Sequence, residues 1–252
     1  MIEVENLKMR FGSEEILKGI STVFEQGKTN LIIGQSGSGK SVMLKCLIGL
    51  LKPEAGIISY HNKPTQEMNL NQQRMLREEI GMLFQGGALF DSMTIEENIM
   101  FPLRMFSNQS RSEMLLRVNE VLSRVNLDGV NTKFPAEISG GMQKRVSIAR
   151  AIVNNPKYLF CDEPNSGLDP KTATVIDNLI QRITHENNIT TIVVTHDMNS
   201  VMEIGERINF LKNGLLVWNG TQEDIFKTKN EDVTDFVYSS NLFKKIRDVQ
   251  NS

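Results

Sequence analysis

Two cysteines and three histidines are all that 252 residues contain of the sulfur and imidazole side chains from which disulfide frameworks and many metal centres are built. Cys46 and Cys161 both fall in apolar runs, the ordinary setting of buried thiols, so a reducing compartment is expected and a disulfide scaffold is excluded. His61 lies in a polar turn with no neighbour at metal-ligand spacing, and His185 near the exposed end of a helical pattern; both read as surface residues. Excess charge is missing too. Against 28 Lys and Arg stand 30 Asp and Glu, a formal net charge of −2, so there is no global basic field for nucleic acid. No apolar run approaches the roughly 20 residues that cross a bilayer, and Met1 to Glu5 lack the basic and apolar regions of a secretory signal. A membrane role, if the chain has one, is expected to come through a partner. The length is enough to bury a full core, as one domain or a domain with a subdomain.

What is present begins with Gly34-Gln35-Ser36-Gly37-Ser38-Gly39-Lys40-Ser41, four residues between a glycine and a Gly-Lys-Ser end. It follows the apolar run Leu31-Ile32-Ile33 and leads into Val42 to Ile48, so strand, loop and helix are in the order a phosphate-binding loop requires. Glycines allow the backbone N–H groups to turn onto a polyphosphate, and the positive end of the helix adds to the attraction. Lys40 is placed to reach the β- and γ-phosphates and the Ser41 hydroxyl to take a position on Mg²⁺.

Upstream, Ile2 to Met9 and Ile20 to Phe24 alternate in polarity and read as antiparallel edge strands. Phe11 between them is placed to stack on an adenine face. Downstream, Ile57 to Tyr60 reads as a short strand and Ile80 to Phe84 as a buried one. Gln85 then falls at a strand's carboxyl end, where parallel sheets bind ligands. Gly86 to Phe106 is rich in Met and Phe, with Thr94 to Glu97 as a capping box opening a helix that Pro102 bends or ends. Its composition fits either a groove for another chain or the core of a subdomain. Ser110 to Glu113 caps the next helix, and the helices from Thr94 to about Val125 look inserted between strands. Ser139 stands as N-cap of a helix that starts Gly140-Gly141-Met142, a second helix start suited to an anion.

Tyr158 to Cys161 is a short apolar run ending in Asp162 and Glu163. The first carboxylate can serve Mg²⁺ and the second faces the γ-phosphate as base or water-orienting group. Asn165 to Asp169 leads into a helix to Glu186. Thr190 to Val194 is another buried strand, ending in His196, which can donate to the γ-phosphate from the same rim. Lys212-Asn213-Gly214 joins a hairpin, Thr221 to Asp224 caps a short helix, and Asp235 to Ser252 is amphipathic through Phe236, Leu242, Phe243, Ile246 and Val249.

In this order the motifs resemble the nucleotide-binding subunits of ABC transporters over nearly the entire chain. By that resemblance Phe11 matches the adenine-stacking aromatic and Gly34, Gln35, Ser36, Gly37, Ser38, Gly39, Lys40 and Ser41 the Walker A loop. Gln85 matches the Q-loop glutamine, placed among both the catalytic and the metal residues. Ser139, Gly140 and Gly141 match the signature, Asp162 and Glu163 the Walker B pair, Ser166 to Asp169 the D-loop, and His196 the switch histidine. One departure stands out: where the family usually reads Leu-Ser-Gly-Gly-Gln, this chain has Ile138-Ser139-Gly140-Gly141-Met142, which bears on rate control. The implied fold is an α/β P-loop ATPase with a RecA-like core, an antiparallel β subdomain and an inserted helical subdomain at about 94–150. The implied ATPase domain covers 1–228, with an amphipathic extension over 229–252.

The run Gln85 to Thr94, with Asn98 and Phe101-Pro102-Leu103, is further similar to the ATPases of Mla-type phospholipid transporters, which work with MCE-domain proteins; Ile138 to Ile152 is similar to the same group. The resemblance implies ATP and Mg²⁺ and a second copy of the chain. The two copies face head to tail, each ATP lying between Gly34 to Ser41 of one and Ser139 to Gly141 of the other. It implies a permease docking at about Gln85 to Phe106, an MCE-domain protein reached through that permease, and a place at the cytoplasmic face of the inner membrane. Related systems can carry a small STAS-type regulatory subunit, although no residue here indicates one. Three rivals are an ATPase for another solute, a soluble ABC protein of ribosomes or DNA, and a P-loop kinase, which has no use for Ser139 to Met142.

Overall fold

The computed structural model describes residues 1–238. Leu242, Phe243, Ile246 and Val249 of the amphipathic extension lie outside the described residues.

Three pentapeptides form the centre: β3 (Thr29–Ile33), β7 (Tyr158–Asp162) and β8 (Thr190–Val194), each buried at every position. Continuous β-branched and aromatic runs of this kind are what a parallel strand covered on both faces requires. With β6 (Ile80–Leu83), β9 (Arg207–Lys212) and β10 (Leu215–Gly220) they make a six-stranded sheet in the order β10-β9-β3-β8-β7-β6. All neighbours are parallel except β10 against β9. That pair is the hairpin through Asn213 and Gly214, both with positive φ, as a tight two-residue connection of right-handed strands demands.

Alternation along β3 divides the molecule. Ile32 faces a cluster with Tyr158, Phe160, Ile192, Val194 and α1 (Lys40–Leu47). The same cluster receives Ile2, Leu7, Ile20 and Phe24 from β1 (Ile2–Phe11) and β2 (Glu14–Phe24), which pair antiparallel and, with β4 (Ala55–Tyr60) and β5 (Lys63–Pro64), form the second sheet. Leu31 and Ile33 face the opposite way into the helices.

Between β6 and β7 lie α3 (Ile95–Phe106), α4 (Arg111–Arg124) and α5 (Gly140–Ile152). The capping boxes at Thr94 and Ser110 form with both reciprocal bonds. Pro102 neither ends α3 nor stops it short, since the helix continues to Phe106; its missing N–H leaves only one intrahelical bond unmade. Composition had left Gly86 to Phe106 open between groove and core, and the residues divide: Met100 and Leu103 are buried, whereas Phe90 and Met105 are exposed.

Two further departures have local causes. Thr221 and Asp224 exchange the expected box bonds, but the chain continues as turns instead of a helix. A helix not evident in the sequence, α2 (Leu70–Glu78), is capped reciprocally by Asn69 and Gln72 and has no fully buried residue, so no clean apolar stripe announces it. After β8 come α7 (Met198–Ile204) and, beyond β10, α8 (Glu231–Val237), while α6 (Pro170–Glu186) joins β7 to β8. Within α8, Phe236 meets Phe210 of β9 at 5.1 Å with the rings tilted, so the described start of the tail docks on its own domain.

The loop entering α3 depends on one side chain. Asn98, fully buried, accepts from the Phe90 N–H at 2.8 Å and donates to the carbonyls of Phe90, Met93 and Thr94. Asn98→Ala strands these groups out of water, at roughly 1–3 kcal/mol for each left unsatisfied. The expected loss is about 2–4 kcal/mol, read as a lowered urea midpoint; an unchanged midpoint contradicts the clamp.

Candidate functional site

The loop from Gly34 to Gly39 closes on itself around a lysine. Lys40 is 7% exposed, and its ammonium donates to the carbonyls of Gly34 and Gln35, both at 2.9 Å. Burial pushes the Lys40 ammonium below its ordinary pKa, while Glu163 and Asp162 draw it back up. Glycine is required here at two positions. Gly34 has φ 148°, and a Cβ on it would stand 2.2 Å from the Leu211 carbonyl; Gly39 has φ 101°, and its Cβ would meet Leu17 at 2.9 Å. Ser38 Oγ is buried without a partner, an unusual state for a hydroxyl unless a ligand completes it. The two lysine bonds, the orphan hydroxyl and the start of α1 fit a polyphosphate.

At the end of β7, Asp162 is 9% exposed and accepts from Ser41 Oγ at 3.3 Å. Burial raises its pKa, against the Ser41 bond and the nearby Lys45 and Lys40. A carboxylate and a hydroxyl side by side at a polyphosphate loop are hard oxygen donors of the kind Mg²⁺ takes, with phosphate and water completing its shell. Among the described residues no cluster of three or more His, Cys, Asp or Glu could hold a metal unaided.

Glu163 follows with φ 49°, a left-handed backbone uncommon for a non-glycine residue. Its N–H donates to the Val194 carbonyl at 2.9 Å, and its Oε1 lies 2.8 Å from Nδ1 of His196. The imidazole donates and the carboxylate accepts, which fixes the proton of a neutral His196 on Nδ1. Phe11, 48% exposed, stands at the tip of the β1–β2 hairpin, on the strand pair whose Leu17 meets Gly39.

Gln85 emerges exposed from β6 on the same rim. Its carbonyl takes the Lys144 ammonium, while Ser147 Oγ donates to Gly87 O at 3.2 Å and Arg150 to the carbonyls of Gly87 and Ala88. Lys144, Ser147 and Arg150 are thus three rungs on one face of α5 gripping residues 85–88, a connection the sequence reading missed; the spacing of three was its only signal. Arg150 also lies over the Phe90 ring at 5.9 Å, and Phe90 meets Phe101 at 5.0 Å. These rings, with Phe84, Pro102 and Phe106, line a groove of about 360 Å³.

Ser139 caps α5 by accepting from Met142 N–H at 3.3 Å, and it and Gly140 are exposed. Gly141 packs on Thr172, whose γ-methyl a Cβ would approach to 2.7 Å. Thr172 in turn bonds Asp169, the N-cap of α6, at 3.1 Å through N–H and 2.6 Å through its hydroxyl, and these bonds hold the Asp169 carboxyl below its usual pKa. The structure therefore makes two groups. Lys40, Ser41, Asp162, Glu163 and His196 converge; Ser139 to Gly141 and Asp169 form a separate, outward-facing cluster, and no hydrogen bond or ion pair joins the two among the described residues.

Comparison with known proteins places this geometry. A family model described as ABC transporter matches residues 17–166. The chain is 39% identical over 236 residues to the "probable ribonucleotide transport ATP-binding protein mkl" of Mycobacterium tuberculosis, with 94% of this chain and 66% of that protein covered; it therefore spans just under two thirds of that relative's length. It is 35% identical over 258 residues to the methionine import ATP-binding protein MetN of Campylobacter jejuni, covering 96% of this chain and 77% of the relative. Among solved structures, the ATP-binding cassette MJ0796, a dimer in a post-hydrolysis state bound to ADP and Pi, is 33% identical with a TM-score of 0.79, over 88% of this chain and 99% of that one. A Clostridium perfringens cassette belonging to the transporter complex cbiONQ is 29% identical with a TM-score of 0.83, over 98% of both chains.

Substituting Gly34 tests the cradle directly. Gly34→Ala forces Cβ into the Leu211 carbonyl and is expected to weaken binding of a fluorescent ATP analogue at least tenfold, with a lowered melting temperature. Wild-type affinity in that variant contradicts the assignment of this loop as the binding element.

Proposed function

The chain belongs to the ABC transporter family, and from that premise we propose that it is the ATP-hydrolysing subunit that powers a membrane transporter. The observation that carries the proposal is the convergence of Lys40, Ser41, Asp162, Glu163 and His196 at one rim, with Ser139 to Gly141 facing outward and apart. Half of a composite site is built in this chain, and the other half points at solvent. A second copy, placed head to tail, completes both halves at once.

In this reading Lys40 exchanges its two carbonyl partners for phosphate oxygens, forming charge-assisted bonds where neutral ones stood. Ser41 and Asp162 would hold Mg²⁺, with Gln85 on the adjacent loop as a further ligand. An ion held there would supply charge neutralisation at the phosphates. Phe11 stacks on the adenine, and the main-chain N–H groups of residues 35–39 take the remaining phosphate oxygens. Asp169 joins the partner's nucleotide edge from the cluster at Ser139.

Glu163 and His196 act in sequence. While Nδ1 of His196 donates to Glu163, a neutral imidazole offers only an acceptor at Nε2 and cannot bond a phosphate oxygen. Holding the γ-phosphate therefore requires His196 either to gain a proton or to release Glu163. Release frees the carboxylate to orient the attacking water and accept its proton. By the release route, water attack is tied to the presence of a γ-phosphate.

The finer assignment is transport of phospholipid between membranes, with a permease and an MCE-domain protein, at the cytoplasmic face of the inner membrane. It is supported by the stretches Gln85 to Phe106 and Ile138 to Ile152, which resemble the Mla-type ATPases. The aromatic groove beside Gln85 is the surface offered to a permease helix. Among the described residues no helix is long and apolar enough to cross a membrane. A second reading, uptake of a small polar solute, is favoured by the names of the ribonucleotide and methionine relatives.

Glu163→Gln is expected to bind ATP and Mg²⁺, lower turnover by about 10²–10⁴-fold, and elute as a dimer only with ATP. Wild-type turnover in that variant overturns the role of Glu163. Purification of the complex under mild detergent, followed by mass spectrometry, separates the two transport readings: an MCE-domain protein supports the first, and a methionine or nucleotide permease the second.

A further inference from the structure

Behind the Glu163–His196 contact lies a buried carboxyl that the proposed chemistry does not use. Asp177, on α6, is 2% exposed. Asn165 and Ser200 lie against its carboxyl, and Asn165 Nδ2 donates to Ser200 Oγ at 3.0 Å. Asn165 is two residues beyond Glu163, and Ser200 is four residues beyond His196. One cluster thus ties the two loops that carry the contacting pair, from the side away from the phosphate loop.

Acidic groups face Asp177 from two directions. From α6 it faces Cys161 on β7, whose thiol it helps to push up; from the turn into α7 and from α7 itself it faces Asp197 and Glu203. Burial lifts its carboxyl to about 6, the two carboxylates pushing the same way, against Asn165 and Ser200. Oδ1 of Asp177 and Oδ1 of Asn165 are both buried without a partner, so the cluster has more acceptors than donors. A proton on the carboxyl supplies the missing donor.

The backbone gives the cluster something to resist. Glu163 sits at φ 49°, a conformation that persists only where its surroundings over-determine it. Ahead of it, the N–H to Val194 fixes one side; behind it, the turn closed by Ser166 N–H on the Glu163 carbonyl at 3.2 Å contains Asn165.

We propose that Asp177 is a positioning residue for ATP hydrolysis, a neutral buried brace that, through Asn165 and Ser200, holds the Glu163 loop and the His196 loop at the spacing their contact requires. The proposal rests on the ATPase reading for its kinetic consequence, while its structural consequence stands independently. Asn at 177 reproduces the neutral carboxyl, with a donor and an acceptor; Ala removes the brace.

The test uses the full chain carrying Asp177→Asn, Asp177→Ala or Asn165→Ala, with steady-state ATPase kinetics, ATP-analogue binding, and melting temperature from pH 5 to pH 8. Asp177→Ala is expected to lower kcat at least tenfold with KM and analogue affinity within twofold of wild type, and Asp177→Asn to keep kcat within twofold. Asn165→Ala combined with Asp177→Ala is expected to cost no more than the larger single effect. The sign of the stability arm follows from the raised carboxyl. Ionisation is disfavoured in the folded state, so wild type is penalised progressively as pH rises from about 4 through about 6, a penalty absent in Asp177→Asn. The melting temperature of Asp177→Asn relative to wild type is therefore expected to rise between pH 5 and pH 8. An unchanged kcat in Asp177→Ala, a KM that rises in proportion, an Asp177→Asn as slow as Asp177→Ala, or a melting difference flat with pH overturns the brace. If wild type hydrolyses no ATP, the ATPase reading fails instead, and the melting difference still decides for or against the buried proton.

Discussion

The parallel ladder of β3, β8 and β7 is the constraint on which the site depends. Ile32 and Asp162 both pair with Val194, and the ladder runs on past the strands: Thr195 N–H reaches Ile32 O at 3.2 Å and Glu163 N–H reaches Val194 O at 2.9 Å. The phosphate loop, the two carboxylates and the histidine therefore leave the sheet at one level. A one-residue slip would turn Asp162 to the opposite face and expose every buried side chain of β7 to the wrong cluster. Core packing, not local chemistry, keeps Ser41 and Asp162 within reach of each other, so their spacing is as stable as the domain.

Much of this was readable because it is written in short-range patterns. Glycine spacing before Lys40, apolar pentapeptides ending in polar residues, and Thr94, Ser110 and Ser139 ahead of helical stripes each express a backbone rule within a few residues. What escaped is of another kind. The Glu97 and Glu113 boxes precede apolar stripes and start helices, but Asp224 caps a turn, because nothing after Thr221 supplies a stripe long enough to propagate a helix. α2 was invisible for the opposite reason: it has a cap and a helix-forming sequence but packs no residue fully inside. Pro102 does not end α3, because Ile99, Met100 and Leu103 bury enough surface, at about 1.5–3 kcal/mol for each fully buried side chain, to carry the helix past one lost bond.

The links that organise the site are also those with large sequence separation. Lys144 to Gln85, Arg150 to Gly87 and Asn165 to Ser200 have no motif, since each joins a side chain on one element to a backbone or side-chain group on another. Their residue types are unremarkable on a helix surface. Only the fold reveals that Lys144 is 7% exposed and that its ammonium is spent on a single carbonyl.

α5 gathers these links into one rigid body. Its first turn presents Ser139 and Gly140 to solvent, where a second copy would bring its nucleotide; its middle holds the loop after Gln85 by three side chains; and Arg150 near its end stands over Phe90 at the aromatic groove. A helix transmits displacement along its axis with little loss, so a shift imposed at Ser139 reaches residues 85–88 and the groove together. Gln85 is tied by its carbonyl to the helix and by its place in the chain to β6, a strand whose neighbour carries Asp162. If a second copy seats on the first turn of α5, as proposed, the loop after Gln85 is held from two sides, by its own sheet through β6 and by the three side chains of α5. That double hold is the physical route by which the proposed nucleotide sites would reach the groove.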